Sequence, residues 1–450
     1  MWRCTWSAGR VTGIDTGEPR VNPTDSAGEP VLITGIGIVS PLGPTRETTW
    51  QAILAGERAG QQLDPGTLGL AWQGVRNDRL WQGCPARRTS HQTDPCGTES
   101  FGYEPFVTDA LTAAREALAH AGLSESGHER WGCVIGASKG GLHEAIPHWM
   151  HTHDWGPSGS FRWLGTWPNA PAAAVAQNWG VEGPVLAPGA ACATGLVSLI
   201  RGAELIRARV CDVVLAGSTD ASLQPALLGC YHRMGVMSRS SDPLAACKPF
   251  DRDRDGFLVG EGAAILVLES QSHATRRGAT AWAEFVAGRS LSGASGMTSL
   301  DESAEGLTRA IHDLLMASGS SIEAIDLINW HGTGTRQNDR TEITALLSCL
   351  TGRSWSGHSC AFKGALGHLM GGAGSVETAL CVLALRDQVV PPTANLAHFD
   401  PELAAAEPHQ LLNLAASFVH HAQPQSIRTV MKTSLGFGGP VATALLRRPG

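Results

Sequence analysis

The residues whose types could do chemistry are a cysteine, two histidines and a lysine, each set in a run of small residues. Cys192 lies in Pro188-Gly-Ala-Ala-Cys-Ala-Thr-Gly195. A short apolar run, Pro184 to Ala187, precedes it, and Leu196, Leu199, Ile200 and Ala203 follow at helical spacing. The pattern predicts a strand turning into a helix, with the thiol at the turn. A helix N-terminus offers free N–H groups and partial positive charge, and both favour thiolate over thiol. Ala190, Ala191 and Ala193 leave room for a reactant to approach. A lone cysteine is otherwise a small hydrophobe, so its assignment depends on what accompanies it. His331-Gly-Thr-Gly-Thr335 ends an apolar run, Ile325 to Trp330. Lys363-Gly-Ala-Leu-Gly-His368-Leu-Met-Gly-Gly-Ala-Gly-Ser-Val-Glu377 leads into an apolar helix, Thr378 to Leu385.

Other candidate motifs fail on spacing. His143, His148, His151 and His153 cluster beside Asp154, but their spacing matches no zinc pattern, and a solvated or tunnel-lining loop is expected. Asp251-Arg-Asp-Arg-Asp-Gly256 begins like a calcium loop, yet the position needing a bidentate Glu is Gly262. It reads instead as a charged turn. Gly35-x-Gly37 suggests a dinucleotide fingerprint, but its third position is Ser40, and no strand with a terminal acid follows at the right distance. No metal site is assigned.

The elements that must position these groups follow from the pattern. The chain has 450 residues, 42% hydrophobic and 17% charged, enough apolar material for a large core. A net charge of −7 gives no sign of nucleic-acid binding. Eleven cysteines, odd in number and scattered, argue for a reducing compartment rather than a disulfide framework. No apolar run reaches membrane-spanning length, so a cytoplasmic protein with no membrane insertion is expected. Residues 1–29 read as a flexible extension, and residues 60–105 as a surface excursion. Strands are expected at Val31 to Ile38, Trp131 to Ala137, Val210 to Gly217, Ala263 to Leu268, Arg428 to Ser434 and Val441 to Leu446. Helices are expected at Asp109 to Leu123, Glu305 to Ser318 and Asp339 to Leu350. Alternating strands and helices in both halves indicate α/β layers.

Five motifs in fixed order carry a resemblance. Cys192 in Ala-Cys-Ala-x-Gly, His331 in His-Gly-Thr-Gly-Thr, Lys363 with His368, the closing Gly436-Phe437-Gly438-Gly439, and the run Arg254-Asp-Gly-Phe-Leu-Val-Gly-Glu-Gly-Ala263 together resemble the elongating β-ketoacyl-acyl-carrier-protein synthases. The resemblance covers about Val31 to Leu446. It implies a thiolase-type fold of five layers, α/β/α/β/α, built from two similar halves, here 30–278 and 279–450, and a homodimer.

It further implies decarboxylative Claisen condensation in fatty acid or polyketide synthesis. An acyl thioester would load Cys192, a soft nucleophile suited to the covalent step. Malonyl-acyl-carrier protein would then lose CO₂, with His331 and His368 donating to the enolate oxygen. The backbone N–H groups of Cys192 and Phe437 would form the oxyanion hole, and Phe437, between Gly436 and Gly438, would act as a gate. Lys363 would place positive charge near His368, with Glu377 balancing it. Thr333 and Thr335 would bond the phosphopantetheine arm, which belongs to the carrier protein, so no resident cofactor is implied. The alternatives are a thiolase-like acyltransferase, which would rely on a second catalytic cysteine, and a non-catalytic chain-length partner subunit, which would lack the nucleophile.

The sequence departs from the family pattern in three places. Ala190 stands where Thr is frequent, and Thr433 and Pro440-Val441 replace the usual residues of the closing motif. Lys139 occupies a loop place that usually carries a small or aliphatic residue beside the acyl pocket. A lysine there either snorkels to water or turns inward to meet an acid. The inward orientation is expected, with Glu144 the nearest partner in sequence.

Overall fold

The computed structural model describes residues 28–64, 81–88, 104–123, 130–154, 163–293, 303–350, 353–403 and 408–450. Most of the expected extension at 1–29 and most of 60–105 lie outside them. Ten strands make the framework: β1 (Val31–Val39), β2 (Trp131–Gly136), β3 (Val185–Leu186), β4 (Val213–Asp220), β5 (Gly262–Ser270), β6 (Ala283–Ser292), β7 (Leu327–Asn329), β8 (His358–Cys360), β9 (Thr429–Leu435) and β10 (Pro440–Arg447). Their spatial order is 8-7-9-10-6-1-5-4-2-3.

That order contains the same arrangement twice. The first five strands run 3-2-4-5-1 and the second five run 8-7-9-10-6, each label raised by five. Directions repeat as well. β1–β5 and β5–β4 are antiparallel while β4–β2 and β2–β3 are parallel. The matching pairs of the second set, β6–β10, β10–β9, β9–β7 and β7–β8, follow the same sequence of directions. A short β1–β6 pairing at Leu32–Glu284 and Ile33–Ala283 joins the two sets.

Three helical layers enclose these sheets. Helix α1 (Pro105–Ala121) begins with proline in its first turn and stops at left-handed Gly122. It covers one outer face, where Val107, Ala110, Ala114 and Leu118 pack on Ile135, Leu215 and Val267. Its backbone comes so close to β1 that a Cβ on Gly37 would stand 1.9 Å from the Ala113 carbonyl, and one on Gly35 2.2 Å from that of Ala117. The Gly35-x-Gly37 pair therefore serves helix–strand packing. Helices α2 (Thr194–Arg207) and α3 (Ala373–Asp387) fill the middle layer. Leu196, Leu199, Ile200 and Ala203 from α2 pack with Val376, Leu380 and Leu383 from α3 in one buried core, each large side chain contributing about 1.5–3 kcal/mol. Residues Glu305–Ser318 and Arg336–Leu350 form the far outer layer.

β4 and β5 are buried along their whole length, as their continuous apolar sequences predict for strands covered on both faces. β4 pairs parallel with β2 and antiparallel with β5, so the sheet is mixed. The surface excursion is corrected where it is described, since Trp81, Gln82 and Cys84 are buried. Cys84 bridges to Gly260. β6 and the helices Ala170–Asn178 and Pro225–Met234 were not anticipated from the sequence.

The two middle helices start alike. Each follows a single 3₁₀ turn, Ala191–Ala193 before α2 and Met370–Gly372 before α3. Each turn opens on a residue with positive φ, Ala191 at 46° and Met370 at 48°. The second residues of the helices, Gly195 and Gly374, meet. A Cβ on Gly195 would lie 2.3 Å from the Ser375 nitrogen, and one on Gly374 would lie 2.5 Å from the Leu196 nitrogen.

Candidate active site

The twin turns bring the candidate residues together. Cys192 is the middle residue of the first turn. His368 comes just before the second, in the segment between β8 and α3. His331 follows the end of β7 and is buried. Cys192 packs with Met370, Phe257, Leu223, Leu228 and Met237 in an apolar cluster. Phe257 meets the His368 ring edge-on at 4.9 Å, and His331 meets His368 at 5.3 Å in a T-shaped pair. The run Phe257–Gly260 lies alongside His368, whose N–H donates to the Leu258 carbonyl and whose carbonyl accepts from Gly260 N–H.

Both imidazoles are held neutral, and in one tautomer. Burial pushes each far below the ordinary histidine value, and the Lys363 ammonium adds to the effect. Met370 N–H donates to His368 Nδ1 at 3.2 Å, and Lys363 Nζ stands 3.3 Å from His331 Nδ1. A neutral ring accepting at Nδ1 carries its proton on Nε2. The pair therefore presents two Nε2–H donors.

Lys363 does place its charge near His368, as expected, and it also bonds His331, through Nδ1 and through the backbone carbonyl. Glu377 does pair with it, at 2.6 Å, but also accepts from Lys432 at 2.5 Å. One buried carboxylate thus serves two fully buried ammoniums. Each lysine also bonds carbonyls at the strand ends, Lys363 that of His331 and Lys432 those of Trp330 and Thr433. From the other side, Glu342 accepts from the backbone N–H groups of His331 and Gly332, both at 2.7 Å, and from Thr433 Oγ1. The backbone bearing His331 is therefore clamped by Lys363, Lys432 and Glu342. The sequence reading missed Lys432 and Glu342. A lysine inside the apolar strand Val430-Met431-Lys432 was the available signal, because buried charges need partners.

Cys192 does not rest as a thiolate, contrary to expectation. It is nearly enclosed, and burial pushes its thiol up to about 11, outweighing Lys363, Lys139 and a hydrogen bond from Phe437 N–H. The helix terminus is present, but desolvation by the surrounding apolar cluster is the larger effect. The Phe437 N–H thus faces the sulfur. Gly436 lies against the Cys192 turn, where a Cβ would sit 3.1 Å from Cys192 N and 2.8 Å from the Ala190 carbonyl. Phe437 is half-buried, and Gly438 is exposed at φ 84°. Thr333 and Thr335 share a hydroxyl–hydroxyl bond of 2.9 Å, Thr333 buried and Thr335 half-buried.

Lys139 turns inward, but to Asp220 rather than Glu144. Its ammonium donates to Asp220 Oδ1 at 2.9 Å, Ser138 Oγ at 2.8 Å and Ser222 Oγ at 2.7 Å. The Glu144 backbone N–H donates to Glu104 Oε1 at 3.0 Å. Of the clustered histidines, His143 is buried against Glu261 at 3.3 Å, and His148 and His151 ride on the helix Ala145–Thr152 rather than on a loop. Among the described residues no group of three His, Cys, Asp or Glu side chains is placed to hold a metal ion, and no helix is long and apolar enough to cross a membrane.

Comparison with known proteins matches residues 28–274 to the β-ketoacyl synthase N-terminal domain and residues 283–397 to its C-terminal domain. The ketoacyl synthase alpha subunit of the tetracenomycin polyketide synthase from Streptomyces glaucescens is 34% identical over 95% of this chain and 99% of its own. A 3-oxoacyl-[acyl-carrier-protein] synthase 2 from Coxiella burnetii is 32% identical over 93% and 98%. Among solved structures, a type II polyketide ketosynthase in complex with its acyl-carrier protein superposes with a TM-score of 0.80 at 25% identity, covering 94% of this chain and all of that one.

Proposed function

The chain belongs to the β-ketoacyl synthase family, acyltransferases of thiolase-type fold, and on that premise we propose that Cys192, His331 and His368 carry out a decarboxylative condensation. The observation that carries this reading is the pair of neutral imidazoles, both tautomers set by their Nδ1 neighbours, beside a cysteine at a helix start.

In the first step the Cys192 sulfur attacks an acyl thioester. The carrier thiolate leaves and takes up the proton that Cys192 gives up. The tetrahedral oxygen is held by the N–H groups of Cys192 and Phe437. A malonyl thioester then loses its carboxylate as CO₂, and the bond electrons pass into an enolate whose oxygen accepts from Nε2–H of His331 and His368. Its carbon attacks the acyl-Cys192 carbonyl and Cys192 leaves as thiolate, to be reprotonated. Lys363 holds the His331 tautomer, Glu377 balances it together with Lys432, Thr333 and Thr335 receive the phosphopantetheine arm, and the Phe437 loop gates entry between Gly436 and Gly438. These steps need no resident cofactor.

An acyl carrier protein is the partner this chemistry calls for, since it delivers both thioesters. Segments 30–278 and 279–450 are the two halves, supported by the repeated strand order. A homodimer is supported by β3, a two-residue edge strand whose Val185 and Leu186 are both exposed. A cytoplasmic location agrees with nine free thiols among the described residues. A chain-length partner subunit is not favoured, because the nucleophile is present.

The test is intact-mass spectrometry after incubation with acyl-acyl-carrier proteins. Acyl mass should appear on wild type at Cys192 and not on Cys192→Ala, and malonyl-carrier protein should discharge it as β-ketoacyl product with release of CO₂. Acyl mass that persists on Cys192→Ala would reject the nucleophile.

A further inference from the structure

A second polar cluster borders the nucleophile. Lys139, Ser138, Asp220 and Ser222 form a closed ring of hydrogen bonds, with both serine hydroxyls donating to Asp220 and both accepting from Lys139. Gly371 N–H anchors Asp220 at 3.1 Å. Gly371 belongs to the 3₁₀ turn after His368, and its neighbour Met370 packs in the cluster around Cys192. The ring is thus tied to the same turn that positions the catalytic histidine. The Lys139 cation is near enough to act on the titration of both Cys192 and His368.

The chemistry of the ring restricts what can lie against it. Asp220 has no exposed side-chain surface, whereas Lys139 keeps 21% of its own. An alkyl chain laid over that remainder would strip water from an ammonium and return no hydrogen bond. An oxygen-bearing chain differs. Lys139 Nζ has three protons for four acceptor contacts, those of Ser138, Ser222 and both Asp220 oxygens. One serine contact can give way to a substrate carbonyl or hydroxyl while that serine keeps its bond to Asp220.

We propose that the Lys139–Asp220 ring is the selectivity determinant of the acyl site, excluding long saturated chains and admitting short or oxygenated acyl groups. This rests on Cys192 being the acylated residue. The experiment measures initial rates of Cys192 acylation, by intact mass, from acetyl-, 3-hydroxybutyryl-, octanoyl- and hexadecanoyl-carrier thioesters. Wild type should load acetyl and 3-hydroxybutyryl at least tenfold faster than octanoyl, and hexadecanoyl more slowly still. Lys139→Met/Asp220→Asn, which removes both charges together, should raise the octanoyl-to-acetyl ratio at least tenfold. If the double variant does not fold, the wild-type ratios alone decide. Equal wild-type rates for acetyl and octanoyl, or an unchanged ratio in a folded variant, would overturn the ring's role while leaving Cys192 as the nucleophile. Absence of any acylation in folded wild type would remove the proposed function itself, and the inference with it.

Discussion

Lys363 Nζ stands 3.3 Å from His331 Nδ1 and by donating there makes the far nitrogen of that ring a hydrogen-bond donor. The same ammonium is also near enough to act on the titration of Cys192 and His368. His331→Ala and His368→Ala should each slow malonyl decarboxylation on the order of 10²–10³-fold, the usual loss for one oxyanion donor, while acylation of Cys192 stays measurable. Because both rings are neutral well below pH 6.5, the wild-type decarboxylation rate should show no histidine titration between pH 6 and 8. Radiolabelled CO₂ release checks both, and an inflection near 6.5 would refute the neutral pair.

The Cys192 thiol, pushed up to about 11 by its surroundings, should react slowly with iodoacetamide at neutral pH. Its alkylation rate should keep rising about tenfold per pH unit through pH 9.5, past the value near 8.5 where a free cysteine levels off. Peptide mapping isolates this site from the other thiols. A plateau near 8.5 would mean that the helix terminus and the lysines outweigh burial.

Glu377→Gln leaves two buried ammoniums sharing no carboxylate. Breaking a buried pair costs about 3–5 kcal/mol, so denaturant melts should show a loss of that order. Adding Lys432→Met removes one of the two stranded charges and should restore part of it. If the double variant is no more stable than Glu377→Gln, the carboxylate is not balancing Lys432.

Burial holds the Glu342 carboxyl at about 7, above its ordinary 4.5. The fold binds this proton more tightly than the unfolded chain does. Its contribution is therefore fully present below about 4.5 and is lost as pH rises through about 7. Glu342→Gln removes the titration, so the melting temperature of wild type minus that of the variant should fall across this window. A difference constant with pH would show that Glu342 titrates normally.

The chemistry was legible because its motifs are local. Cys192, His331 and His368 each sit in a few small residues at a strand end or helix start, where spacing alone constrains geometry. Their supports were not legible. Lys432 meets Glu377 across 55 residues, and Asp220 meets Lys139 across 81, so only folding brings them together. Glu144 was the nearer acid in sequence, but Asp220, at the end of β4, is the acid that folding sets against Lys139. β6, with half its residues only partly covered, lacks the apolar run that revealed β4. The Cys192 thiol was misjudged for a related reason: the helix start is a sequence feature, whereas the apolar cluster that desolvates it is assembled from Leu223, Met237, Phe257 and Met370.

Gly195→Ala and Gly374→Ala should each destabilise the protein by at least the 1–3 kcal/mol typical of overpacking, because the new methyl would meet backbone at 2.3 and 2.5 Å. Thermal unfolding reads the loss, and a neutral Gly195→Ala would show that the helices separate easily.

The contact between Gly195 and Gly374 also decides how molecules can pass through this enzyme. With backbone on backbone at the starts of α2 and α3, the seam between the halves has no slack for a clamshell motion, and any widening there would pull Cys192 away from His368. Cargo must therefore come and go without the halves parting. On the proposed reading, the place for the wall to yield while the seam stays shut is the Phe437 loop, where Gly436 lies against the Cys192 turn and Gly438 is open to solvent.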